Sequence, residues 1–135
     1  MTVETIPMTD EALARACVET LRAEADAVRA YADRGGADMA RAARMIHASF
    51  GPLIVAGIGK SGLIAGKIAS TLRSIGKAAI FLHPGEASHG DLGLITDGSV
   101  LLILSNSGET TELSDLLAFA KSHGTPIIAL TGHPG

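Results

Sequence analysis

The sequence predicts an α/β protein, an open doubly wound parallel sheet between helical layers (αβα), preceded by two further helices. Three observations carry that prediction. Four short apolar runs, residues 53–56, 79–82, 100–104 and 126–130, are continuous rather than alternating, as strands buried on both faces must be. Helically spaced stretches separate them, and strands that alternate with helices join in parallel through right-handed crossovers. The composition agrees: 135 residues with 47% hydrophobic and 19% charged content suffice for one core, and 3% aromatic content makes that core aliphatic. The 16 glycines add loops where backbone can approach a ligand.

At the N-terminus Thr9 and Asp10 offer capping oxygens, and Leu13, Cys17, Leu21, Val28 and Tyr31 follow near the period of an amphipathic helix that Gly35-Gly36 stops. Cys17 falls on its apolar face and reads as a core residue. Met39, Ala43, Ile46 and Phe50 repeat at spacings of four, three and four, which places a second helix before Gly51-Pro52. Both helices read as packing elements, so residues 1–50 are expected to pack on a domain formed by residues 51–135, one structural domain overall.

The first strand runs into Gly57-Ile58-Gly59-Lys60-Ser61-Gly62, followed by a helix through Ile64, Ile68, Leu72 and Ile75 that Gly76 ends. The second enters a loop from His83 to Asp91 with the sequence HPGEASHGD, and the third enters Ser105-Asn106-Ser107-Gly108-Glu109-Thr110. The helix after that carries Leu113, Leu116, Leu117 and Phe119 or Ala120, and stops at Lys121-Ser122-His123-Gly124. After the fourth strand the chain ends at Thr131-Gly132-His133-Pro134-Gly135, where another helix is expected, so the sequence reads as a fragment. Ligands of doubly wound folds bind at the carboxyl ends of strands. The three polar, Gly-bearing loops should therefore share one edge of the sheet.

Charge and cysteine content narrow the function. A formal net charge of -3, with no Lys/Arg cluster interleaved with aromatics, offers no long-range attraction for nucleic acid or an anionic membrane. The single cysteine cannot form an intramolecular disulfide, and Glu4, Asp10 and Glu11 stand where a signal peptide would carry Lys or Arg. No apolar stretch approaches the roughly 20 residues that span a bilayer. A cytoplasmic protein without membrane or nucleic-acid partners is expected.

Gly57, Gly59 and Gly62 spell the dinucleotide fingerprint Gly-x-Gly-x-x-Gly between strand and helix. Its second half, an acid about 20 positions on that would hold the ribose, is missing, because no Asp or Glu occurs between Gly62 and Glu86. A Walker-type phosphate loop fails as well, since Ile54 stands where its first Gly belongs. What survives is a turn that brings Lys60 and Ser61 to a helix N-terminus, where unpaired N–H groups and partial positive charge favour an anion. Ser105, Asn106, Ser107 and Thr110 around Gly108 offer the same at the next helix. Ser107 or Thr110 as a plain N-cap, with Glu109 and Glu112 as first-turn acids, accounts for one hydroxyl but not for the whole cluster.

These residues resemble the sugar isomerase (SIS) domains, which bind phosphosugars. The loops "SNSGET", "GIGKSG" and "HPGEASHGDLG", in combination, are similar to those of the arabinose-5-phosphate isomerases, which supply the precursor of Kdo in Gram-negative lipopolysaccharide. The resemblance runs from about Leu13 to the last residue. It implies a flavodoxin-like SIS fold and, in full-length members, further domain residues and commonly a pair of CBS domains. The edge at which the sheet would stop favours a homo-oligomer (dimer or tetramer), and the implied isomerisation requires no redox cofactor. His83, His89 and Asp91, the residues that could meet at a zinc ion, lack the tight His-x-His or metal-helix spacing of a required metal site. Carried over residue by residue, the resemblance places Gly59, Ser61, Ser105, Asn106, Ser107 and Thr110 around the sugar phosphate. Lys60 matches the active-site Lys, Glu112 an active-site carboxylate, and Glu86 and His89 match positions near the sugar, with His89 a catalytic candidate. For His89 a structural bond to Asp91 or a loop carbonyl stays open; His83 reads as a strand end, Glu109 as a helix-dipole partner and His47 as a surface residue. Aldose–ketose interconversion between D-arabinose 5-phosphate and D-ribulose 5-phosphate through a cis-enediol is the implied activity. A catalytically incomplete phosphosugar-binding module is the alternative.

Overall fold

A computed structural model of the chain describes residues 9–133. It divides into two compact units, Met1–Met39 and Ala40–Gly135. The first is dominated by one helix, α1 (Asp10–Ala32), which Thr9 caps as the sequence predicts, its Oγ1 accepting the N–H of Ala12 at 3.2 Å. The apolar residues of α1 stay in solvent, Leu21 at 65% and Val28 at 72% exposure. Cys17 is exposed too, which corrects its reading as a core residue. Helical spacing shows that residues share a face; covering the face needs a second layer, and the described residues of this unit supply none.

The second unit holds a four-stranded parallel sheet: β1 (Leu53–Gly57), β2 (Ala79–Leu82), β3 (Val100–Leu104) and β4 (Ile127–Leu130), in the order β2-β1-β3-β4. Leu53 pairs with Ala79 on one side and Val100 on the other, and Leu101 pairs with Ile127. All four strands stand where the apolar runs placed them. β1 is central and wholly buried, so its side chains serve two cores. Leu53 and Val55 pack with Ala65 and Ala69 of α3 (Lys60–Ser74), and with Ile46 of α2 (Ala37–Ala48). Ile54 and Ala56 pack with Leu116 and Ala120 of α5 (Ser114–Ser122) on the other face.

That division into three layers follows from the strand order. From β1 the chain crosses to β2 on one side, and from β3 to β4 on the opposite side; crossovers of one hand running in opposite directions put their helices on opposite faces. The reversal lies between β1 and β3, where the following loops diverge and leave a crevice at the carboxyl ends.

Two local features depart from the periodicity. The buried stripe of α3 is Gly62, Ala65 and Ala69, whereas Ile64 and Ile75 are 53% and 75% exposed. Small residues let the helix lie close on the sheet, Ile68 and Leu72 pack half-buried beside them, and Ile64 and Ile75 are left outside. The segment from His83 is not an open loop: α4 (Pro84–Ala87) starts there, with Pro84 in its first turn and His83 Nδ1 accepting the N–H of Gly85 at 3.1 Å. A 3-10 turn, Asp91–Leu94, follows.

Candidate functional site

The first turns of α3, the helix that follows β1, and the carboxyl ends of β3 and β4 meet around an open cavity of about 370 Å³. Lys60 and Ser61 reach it from the first turn of α3, Ser105 and Asn106 from the loop after β3, and Thr131 and Gly132 from the segment after β4, over apolar Ile64, Leu104 and Leu130. It opens at the strand-order reversal, where doubly wound folds bind ligands.

Local geometry delivers each polar group. Gly59 sits at φ 58°, ψ -127°, a conformation that a side chain opposes, and this turn makes Lys60 the first residue of α3. The 15-residue helix thus directs its partially positive end toward the cavity. Lys60 is exposed and makes no hydrogen bond or ion pair among the described residues. An unpartnered cation at the positive end of a helix is locally unfavourable, and an anion between them would relieve both.

The loop after β3 is held by its own hydroxyls. Ser105 is 8% exposed, its Oγ lies 2.8 Å from Thr110 Oγ1 and it accepts the N–H of Gly108 at 3.1 Å. Ser107 Oγ accepts the N–H of Glu109 at 3.2 Å. Among the described residues, the backbone N–H groups of Asn106, Ser107 and Thr110 find no acceptor. A loop that leaves several N–H groups unpaired beside hydroxyls is suited to an oxyanion.

The structure corrects where the helix begins. A 3-10 turn, Thr111–Leu113, intervenes, and α5 starts only at Ser114. The hydroxyl cluster is therefore not the first turn of a long helix; the long helix that ends at this cavity is α3.

Of the residues singled out in the sequence, Lys60, Ser61, Ser105 and Asn106 line the cavity, with Gly59 immediately before them, while Ser107 and Thr110 belong to the loop without lining it. Glu86 and His89 are exposed, in α4 and just after it, and Glu112 is exposed in the 3-10 turn, where its Oε2 accepts the Thr111 hydroxyl at 3.1 Å. None of these three lines the cavity. They occupy adjacent elements, since α4 packs beside that turn and α5, tied by Ser88 Oγ donating to Asp115 Oδ2 at 2.7 Å. Among the described residues no three His, Cys, Asp or Glu side chains are grouped to hold a metal ion, and no helix is long and apolar enough to cross a membrane. Thr131 and Gly132 were missed as wall residues, although a Gly after a small polar residue at a strand end is the signal the other loops carry.

The sequence profile of the SIS domain matches residues 49–135. The chain belongs to the SIS domain family. This SIS domain is 46% identical over 115 residues to arabinose 5-phosphate isomerase KdsD of Pseudomonas aeruginosa, an overlap of 85% of this chain and 35% of that protein. It is 43% identical over 124 residues to arabinose 5-phosphate isomerase GutQ of Escherichia coli K12, covering 92% of this chain and 39% of the relative. A solved protein of Escherichia coli CFT073, in complex with arabinose 5-phosphate, superposes with a TM-score of 0.85 at 34% identity, over 92% of this chain and 66% of the other. The chain thus spans little more than a third of the length of these two curated relatives.

Proposed function

We propose that this SIS domain binds a pentose phosphate as the substrate-binding part of an aldose–ketose isomerase that interconverts D-arabinose 5-phosphate and D-ribulose 5-phosphate. The observation that carries the reading is the cavity at the start of α3 and the ends of β3 and β4, which Lys60, Ser61, Ser105 and Asn106 line together, with Lys60 unpartnered among the described residues. The identity to two arabinose 5-phosphate isomerases supports the choice of sugar.

In the aldose-to-ketose direction a base removes the C2 proton and O1 gains a proton to give the cis-enediol; a proton then returns to C1 as O2 loses its own. Ser61, the hydroxyls and unpaired backbone N–H groups of the Ser105–Thr110 loop and the start of α3 hold the phosphate, which places C1 and C2 at a fixed distance from the anchor. Lys60 stabilises negative charge developing on the carbonyl oxygen. Glu112 and His89, on adjacent elements, are the candidates for the proton relay, with Glu86 near the sugar. The reading carries with it a cytoplasmic homo-oligomer that needs no redox cofactor and supplies the Kdo precursor for lipopolysaccharide.

One observation favours a second reading, a phosphosugar-binding module without turnover: Glu86, His89 and Glu112 lie off the cavity. Calorimetric titration with arabinose 5-phosphate, beside a turnover assay on the same chain and on Lys60→Ala, separates the two. Turnover that Lys60→Ala abolishes supports the isomerase; binding without turnover leaves the module; absence of binding removes both.

A further inference from the structure

Thr131 and Gly132 close on the loop that carries Asn106. Past the end of the sheet, the N–H of Ser105 donates to Leu130 O at 3.1 Å and the N–H of Gly132 donates to Asn106 O at 3.1 Å. The Thr131 hydroxyl donates weakly to the same Asn106 carbonyl at 3.4 Å and accepts the N–H of His133 at 3.2 Å. The pairing of β3 with β4 is thereby prolonged into both loops, and the cavity wall is built from the prolongation.

The absence of a side chain at Gly132 matters most. A Cβ there would stand 2.8 Å from Asn106 Oδ1 and 3.2 Å from Asn106 O. Gly132 is not among the residues with positive φ, so backbone conformation alone does not demand glycine. The Asn106 amide does. Because the nearest atom is the tip of a side chain, a methyl group would displace the amide rather than break the fold. The Thr131 hydroxyl also lies 3.4 Å from where a Gly108 side chain would begin, so the segment touches the loop at its start and at its apex.

We propose that Gly132 and Thr131 are positioning residues, which set from β4 where the Asn106 amide sits in the cavity and through it the affinity for the sugar part of a sugar phosphate. The inference rests on the cavity taking a sugar phosphate. An amide offers a donor and an acceptor together, which suits sugar hydroxyls, whereas a phosphate dianion takes donors only. The displaced amide should therefore weaken the sugar phosphate and spare the bare anion.

The test is calorimetric titration with arabinose 5-phosphate and with inorganic phosphate, on the wild-type chain, G132A, N106A and the double variant, with melting temperatures recorded for each. G132A is expected to bind arabinose 5-phosphate about tenfold more weakly, equivalent to about 1.4 kcal/mol, with inorganic phosphate and the melting temperature nearly unchanged. In the N106A background G132A should cost nothing further, because the methyl group enters the space that the amide vacated. Thr131→Val, which loses the hydroxyl, should weaken arabinose 5-phosphate while sparing inorganic phosphate, and Thr131→Ser, which keeps it, should restore the affinity; equal affinity in the two variants overturns the role of Thr131. Unchanged affinity in G132A, equal loss for both ligands, a large fall in its melting temperature, or additive loss in the double variant each overturns the proposal. A wild-type chain that binds inorganic phosphate but not arabinose 5-phosphate overturns the functional reading and the proposal with it.

Discussion

Gly57 and Gly62 meet backbone to backbone: a Cβ on Gly62 would stand 2.8 Å from the Gly57 carbonyl oxygen, and one on Gly57 would stand 2.8 Å from the Ser61 carbonyl. This close approach presses the first turn of α3 onto the end of β1 and directs Lys60 and Ser61 at the cavity. The atoms that would have to yield are backbone, so Gly62→Ala should destabilise the chain by about 2 kcal/mol and weaken sugar-phosphate binding together with stability. Gly66 in the same helix is the control. Its Cβ would meet only the Phe81 ring at 3.9 Å, so Gly66→Ala should stabilise by about 0.5–1 kcal/mol through helix propensity. Urea unfolding of the two variants reads the contrast; equal effects would show that the contact at Gly62 does not govern the junction.

Lys60 is exposed and unpartnered among the described residues, so the fold loses little when it goes. Lys60→Ala should change unfolding free energy by no more than about 0.5 kcal/mol while reducing turnover about a hundredfold or more. Turnover and urea midpoints measured on one preparation check both halves.

Ser105 is the buried hydroxyl of the loop, serving the Gly108 N–H and Thr110 Oγ1. Ser105→Ala leaves that N–H without its acceptor and should cost about 1–2 kcal/mol of stability. Exposed Ser107, whose Oγ caps only Glu109, should cost less on replacement by Ala. Phosphate affinity should fall in both variants, more for Ser105→Ala, by titration with inorganic phosphate.

Glu112 and His89 stand off the cavity wall. If they relay the proton, Glu112→Gln and His89→Gln should lower turnover about a hundredfold while arabinose 5-phosphate binds as to wild type. A loss of affinity that matches the loss of turnover would place them in binding instead.

Much of the fold was legible because burial on both faces leaves a mark in sequence. The runs containing Leu53, Ala79, Val100 and Ile127 could be assigned to parallel strands without any knowledge of their partners. The site was legible in part for a similar reason: Lys60, Ser61, Ser105 and Asn106 follow strand ends, and the carboxyl ends of parallel strands share one edge. Thr131 and Gly132 carry the small-polar-then-Gly signal of the other strand ends, but a lone hydroxyl there is equally the pattern of an ordinary turn.

The sequence by itself determined four strands, the helices that follow the first and the third, the polar loops at the strand ends and the resemblance to SIS domains, all of which are local patterns or ordered combinations of them. Tertiary structure alone decided the order β2-β1-β3-β4, which sets the loops of β1 and β3 side by side and gives Lys60 a place opposite Ser105 and Asn106. It also decided that Gly62, Ala65 and Ala69 form the buried stripe of α3 and that Cys17 is exposed. Periodicity reports which residues share a face; which face is covered, and by what, depends on the element packed against it, and that element is distant in sequence.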